Sequence, residues 1–165
     1  MNISTLVPHS VRSHKILGDP YLKVQLEPTV YAVLLMKQVL EVMEVPASRL
    51  TPMPNMPACV LGLVNRRSRV FWTVDLAKML GMGCLDSSLP QHTIAIIRVG
   101  QTPLGVSVQH VEGMCWLAPE AIQSPPNYLP STISPYLNGC VLQDQEVLLV
   151  LSAESIVRSP VLHQN

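Results

Sequence analysis

Aromatic side chains are scarce in this chain, seven among 165 residues with a single phenylalanine. A stacking platform for single-stranded nucleic acid needs aromatic and basic residues interleaved, and Tyr21, Tyr31, Phe71 and Trp72 fall on expected strands without that pattern. Charge is scarce too, at 13%, which predicts a surface suited to contact with other proteins. Eleven basic and eleven acidic side chains cancel, so there is no overall electrostatic footprint for nucleic acid or an anionic membrane. No apolar run reaches the roughly 18 residues that suggest a membrane span, and the N-terminus, with Pro8, His9, Arg12, His14 and Lys15, lacks a secretory h-region. The 48% hydrophobic content argues against disorder. The expectation is a cytoplasmic protein with no direct membrane insertion and no nucleic-acid partner.

The apparatus of catalysis is also missing. There is no Gly-x-Ser-x-Gly elbow and no phosphate-binding glycine loop. The four cysteines, Cys59, Cys84, Cys115 and Cys140, form no Cys-x-x-Cys pair, and three sit beside apolar neighbours, as reduced core residues do. Only Cys84 suits an exposed thiol. His92 and His110 stand without ligands at regular spacing, although Glu112 shares a strand face with His110. Neither metal nor cofactor is expected. An enzyme using Cys84 or His110 is the weakest of the readings.

What the chain does have is short apolar runs punctuated by 15 prolines, the mark of many short strands. Strands are expected at 21–26, 30–35, 40–45, 60–65 and 70–74, then at 93–99, 104–108, 112–117, 137–142 and 146–151. Asp75 suits the N-cap of a helix over 76–80, with Gly81 to end it, and Ser152 suits the cap of a last helix over 153–157.

These features recur in order. Pro46 and Pro52 are matched by Pro119 and Pro125, Gly62 by Gly139, Val70 by Val147, and Asp75 by Ser152. The recurrence points to a duplicated unit. Closing five short antiparallel strands removes their edges, so the expected fold is mostly β, with two SH3-like five-stranded barrel lobes around a shared core and short helices. Lobe one is placed at 21–82, a connection at 83–91 and lobe two at 92–157. Tails are expected at 1–20 and 158–165.

The hairpin at Asn65-Arg66-Arg67-Ser68-Arg69 holds the one dense basic cluster, and strand alternation would put Arg66 on one side with Arg67 and Arg69 on the other. The matching hairpin carries Gln143-Asp144-Gln145-Glu146. Met53 and Met56 lie in a proline-rich loop where they offer an adaptable apolar surface.

The stretches Tyr31-Ala32-Val33, Val39-Leu40-Glu41-Val42, Pro52-Met53-Pro54, Val60-Leu61-Gly62-Leu63-Val64-Asn65-Arg66-Arg67 and Val74-Asp75-Leu76 resemble the CheW family of chemotaxis coupling proteins. Leu104-Gly105-Val106-Ser107-Val108 with Val111, and Tyr136-Leu137-Asn138-Gly139 with the closing strand, extend the resemblance through residues 21–157. It implies a scaffold joining a methyl-accepting chemoreceptor to a histidine kinase of the CheA type. It places partner contacts at Glu41 and Arg67, beside Arg66, and framework at Gly62, Asn65, Asp75, Leu76 and Gly139. Val39 and Leu137 would line an apolar seam for a helical receptor hairpin. Ser68 stands where the family has glycine, Trp72 where it has proline and Gln109 where it has aspartate. The alternative is a module of the same fold that has changed its signalling partner.

Overall fold

A computed structural model describes residues 18–83 and 89–163. Ten strands run in chain order as β1 (Asp19–Glu27), β2 (Val30–Leu35), β3 (Val39–Pro46), β4 (Val60–Arg66), β5 (Arg69–Asp75), β6 (Gln91–Val99), β7 (Thr102–Val108), β8 (His110–Leu117), β9 (Leu137–Gln143) and β10 (Glu146–Leu151). All ten expected strands form. Two short helices, α1 (Leu76–Met79) and α2 (Ala153–Val157), follow β5 and β10. Asp75 caps the first by accepting from the Lys78 amide, and Ser152 caps the second by accepting from the Ser155 amide.

The strands make two five-stranded sheets, ordered β8-β1-β2-β10-β9 and β3-β6-β7-β5-β4, each an SH3-like barrel. The expected division into lobes at 21–82 and 92–157 is therefore corrected. Hairpin β1–β2 belongs with β8, β9 and β10 (barrel one), and hairpin β6–β7 with β3, β4 and β5 (barrel two). In barrel one β10 inserts parallel to β2, with Leu148 opposite Tyr31; in barrel two β5 inserts parallel to β7, with Thr73 opposite Gly105. The cause is local. A three-residue 3-10 turn, Met36–Gln38, follows β2 and delivers the chain to the other sheet, so β3 pairs with β6 instead of with its sequence neighbour.

This exchange lets single strands bury both faces. Along β10, Leu148 and Val150 point into barrel one, while Leu149 and Leu151 point into the core shared by the barrels. Along β6, Ile94 and Ile96 fill barrel two, while Ala95 and Ile97 face the shared core. Both helices pack on that core through Leu76, Ala77, Met79, Ala153, Ile156 and Val157. Truncating one such fully buried aliphatic side chain to alanine costs about 2–5 kcal/mol, so the two barrels are held as one unit.

The tails need revision as well. Asp19 and Pro20 already belong to β1, whereas residues 1–17 lie outside the described part. At the other end Ser159 is buried, its hydroxyl shares a 2.6 Å hydrogen bond with that of Tyr136, and Val161 and Leu162 pack on the shared core. Of the expected connection, residues 84–88 lie outside the described part, and Gln91 opens β6.

Candidate partner-binding site

The duplication is visible in the framework. Thr51 and Leu63 exchange backbone hydrogen bonds of 2.8 and 2.9 Å, as do Gln123 and Cys140. Beside these bridges Gly62 (φ +136°) and Gly139 (φ +156°) lie where a Cβ would overlap the carbonyl oxygens of Thr51 and Gln123. Only glycine fits both the angle and the approach. The Asp75 amide donates to the Cys59 carbonyl and the Ser152 amide to the Tyr136 carbonyl, each at 2.8 Å. Asp75 and Leu76 are buried. Asn65 differs from the other framework residues, since it is exposed on β4 opposite Val70.

Glu41 and Arg66 come together on barrel two. Glu41 is on β3 and Arg66 on β4, the two edges of that sheet. Nε and Nη2 of Arg66 donate to Oε1 of Glu41 at 2.9 and 2.5 Å. The pair ties one edge of the sheet to the other. The hydrogen bond from Arg66 holds the Glu41 carboxyl below its ordinary value against the opposing effect of desolvation, with the charges of Arg66 and Arg67 adding to it. The same bond raises the Arg66 guanidinium.

The basic hairpin does not split as alternation suggests. Arg67 (φ +54°) and Ser68 (φ +64°) are the two central residues of the turn, the left-handed pair of a type I′ hairpin. Arg66 and Arg69 thereby stand directly opposite each other. All three arginines line one cavity of about 330 Å³ with Leu40, Glu41, Phe71 and Ile96. Ser68 adopts the φ > 0 conformation that glycine in its place would take freely. The matching turn on barrel one, Asp144 (φ +51°) and Gln145 (φ +64°), has the same geometry without glycine.

Val39 and Leu137 sit half-buried on the rim of the shared core, at the starts of β3 and β9. A bulge follows Val39: it lies opposite Ile97 and Glu41 opposite Ile96, leaving Leu40 as the extra residue, 44% exposed.

Two features had no local signal in the sequence. Lys23 Nζ on β1 reaches Glu146 Oε2 on β10 at 2.8 Å and lies 4.8 Å from the centre of the Tyr31 ring. The hydrogen bond to Glu146 raises the Lys23 ammonium above its usual value despite partial burial, and the charges of Glu146 and Glu112 add to it. The two residues are 123 positions apart, so only the fold brings them together. The second feature is an apolar cavity of about 300 Å³, lined by Trp72, Met56, Val60, Pro103, Val157 and Leu162 among others.

For catalysis the described residues offer little. Cys59 is buried, and burial pushes its thiol and that of Cys115 upward, away from the reactive thiolate. Cys84 lies outside the described part. His92 is buried, and His110 and Glu112 are both exposed with no hydrogen bond between them. Among the described residues no three of His, Cys, Asp and Glu come together as metal ligands, and no helix is long and apolar enough to cross a membrane.

The family model for the CheW-like domain matches residues 20–161. The chain belongs to the CheW-like family. It is 28% identical over 106 residues to the "Probable chemotaxis protein CheW" of Rhizobium etli, covering 64% of this chain and 68% of that one. It is 27% identical over 109 residues to the chemotaxis protein CheW of Rhizobium meliloti, covering 66% and 70%. Among solved structures, the scaffolding protein TtCheW of Thermoanaerobacter tengcongensis superposes with a TM-score of 0.74 at 18% identity, over 86% of this chain and 93% of that one. CheW-like membership accounts for the two barrels and places the Glu41–Arg66–Arg67 cluster within a domain whose relatives are chemotaxis proteins.

Proposed function

We propose that this CheW-like chain is a non-catalytic cytoplasmic adaptor that couples a methyl-accepting chemoreceptor to a CheA-type histidine kinase in a chemotaxis or motility array. The observation that carries this reading is the pair of interlocked barrels on one core, with arginines at the β4–β5 tip and Asp144 and Glu146 at the matching β9–β10 tip. Because each sheet borrows a hairpin from the other half of the chain, two partners docked on the two barrels would be held at a constant relative position. That is the physical requirement of a coupling protein, and it needs no chemistry. Glu41, Arg66 and Arg67 form the charged part of the contact, and Val39 and Leu137 its apolar part.

The test is a pull-down with a purified receptor cytoplasmic fragment and a kinase regulatory domain. Both should be retained, and Arg67→Glu should weaken retention of at least one by about tenfold or more, since reversing a charge in a contact is costly. Far-UV circular dichroism checks that the variant folds. Retention of neither partner by the unmodified chain overturns the proposal.

A second reading, a CheW-like module with a different signalling partner, is favoured by Trp72. It is 40% exposed and lines the apolar cavity with Met56, at a position where the family pattern has proline. Capture of another signalling protein in place of the receptor, lost on Trp72→Ala, would decide for it.

A further inference from the structure

Four of the chain's 11 basic side chains line two adjoining cavities of barrel two. The first, of about 330 Å³, is walled by Arg66, Arg67 and Arg69. The second, of about 340 Å³, shares Leu40, Arg69 and Phe71 with it and adds Val70, Arg98, Gln101 and Pro103. Arg66 is paired with Glu41, whereas Arg67, Arg69 and Arg98 have no carboxylate within ion-pair distance among the described residues. Like charges around one space repel each other, and a bound anion removes that cost. Each cavity is of the size that takes a small molecule.

The fold itself does not call for arginine here. The matching hairpin of barrel one makes the same turn with Asp144 in the place of Arg67 and Glu146 in the place of Arg69, and Lys23 of that barrel is already bonded to Glu146. A guanidinium presents its N–H groups as a planar fork that fits two phosphate oxygens at once. A diphosphate ester brings about three negative charges near neutral pH, which matches the unpaired guanidiniums of Arg67, Arg69 and Arg98. Beside them the second cavity offers apolar surface from Val70 and Pro103 and the amide of Gln101, which both donates and accepts. That combination suits a ring with polar edges, and a phosphate alone leaves it unused.

We propose that these paired cavities bind a nucleoside diphosphate. The diphosphate lies at Arg69, the basic wall common to both cavities, with Arg67 reaching it from the first and Arg98 from the second. The nucleoside fills the second cavity, its base against Val70 and Pro103 and the edge of that base on the Gln101 amide. Arg66 engages Glu41 and so offsets the one carboxylate that would oppose the anion. Arg67 also belongs to the proposed partner contact, so ligand and partner exclude each other there. That consequence rests on the adaptor reading, whereas the site itself does not.

Isothermal titration calorimetry of the purified chain in about 0.1 M salt, where distant charges are screened, compares adenosine diphosphate, inorganic pyrophosphate and adenosine. The diphosphate should bind about tenfold more tightly than pyrophosphate, and adenosine should give no measurable heat. Arg69→Gln and Arg98→Gln should each weaken binding by about tenfold or more, since each removes a charged hydrogen-bond donor. Arg49→Gln, an exposed arginine that lines neither cavity, should leave it unchanged. Amide chemical shifts of the unmodified chain should move at Arg67–Val70 and Arg98–Pro103, which keeps the test valid should a variant fail to fold. Adenosine diphosphate binding no more tightly than adenosine overturns the proposal, as does an equal loss at Arg49 or a shift pattern centred elsewhere. An affinity equal to that of pyrophosphate overturns the nucleoside assignment. Arg69 and Arg98 have no part in the proposed receptor and kinase contacts, so failure here leaves the adaptor reading to its own pull-down.

Discussion

Arg66, Arg67 and Arg69 stand at the tip of β4–β5; Gln143, Asp144 and Glu146 stand at the matching tip of β9–β10. Both tips turn through two non-glycine residues with φ between +51° and +64°. Both barrels also carry a glycine at the point where an edge strand meets an incoming loop, and both end in a capped helix. The backbone was kept where sterics leave no choice, and the side chains diverged where water surrounds them. A duplicated fold can therefore present one conformation in two electrostatic forms.

The largest expected effect tests the shared part of this comparison. Gly62→Ala and Gly139→Ala should each destabilise the protein by about 3 kcal/mol or more, since both a forbidden φ and an overlap with backbone must be relieved. Gly62 should be the worse of the two, its added Cβ being nearer the facing carbonyl. Urea denaturation followed by circular dichroism measures both, and a loss under 1 kcal/mol at either site would break the equivalence.

A smaller, opposite effect is expected at the turns. Ser68→Gly and Gln145→Gly should each stabilise by about 1 kcal/mol, because the left-handed conformation is costly for a residue with a Cβ. Equal gains at the two sites would show that the turns are alike in energy as well as in geometry. Thermal melts of the two variants provide the comparison.

The smallest effect separates the two barrels by pH. Glu41 is lowered in the folded state, so its pairing with Arg66 contributes fully above the unfolded value and is lost as pH falls through the folded one. Lys23 is raised, so its pairing with Glu146 contributes fully below the unfolded value and is lost as pH rises through the folded one. Barrel two should thus loosen its charged tie in acid and barrel one in alkali. Carbon-13 chemical shifts of the Glu41 carboxyl and the Lys23 side chain report the two midpoints. Arg66→Met should move the first upward, and Glu146→Gln the second downward.

Much of the fold was legible in the residues. Strand alternation, prolines at strand ends and caps at Asp75 and Ser152 are local signals, and each marks an element that forms. The partition into lobes was not legible, because β2 reads the same whether β1 and β3 or β1 and β10 lie beside it. The site was legible in part. Glu41 and the arginine hairpin stand out as a rare charge cluster, but the turn geometry at Arg67 and Ser68 decides that Arg66, and not Arg67, binds Glu41.

The order of apolar, proline, glycine and capping residues by itself determined ten strands, two capped helices and their repetition, since these depend on sterics and periodicity over a few residues. Only the tertiary structure decided which strands share a sheet, that the two repeats exchange hairpins, and that Lys23 meets Glu146. Those choices rest on pairing and burial between segments far apart in the chain, where many registers satisfy the local pattern and only one fills a common core.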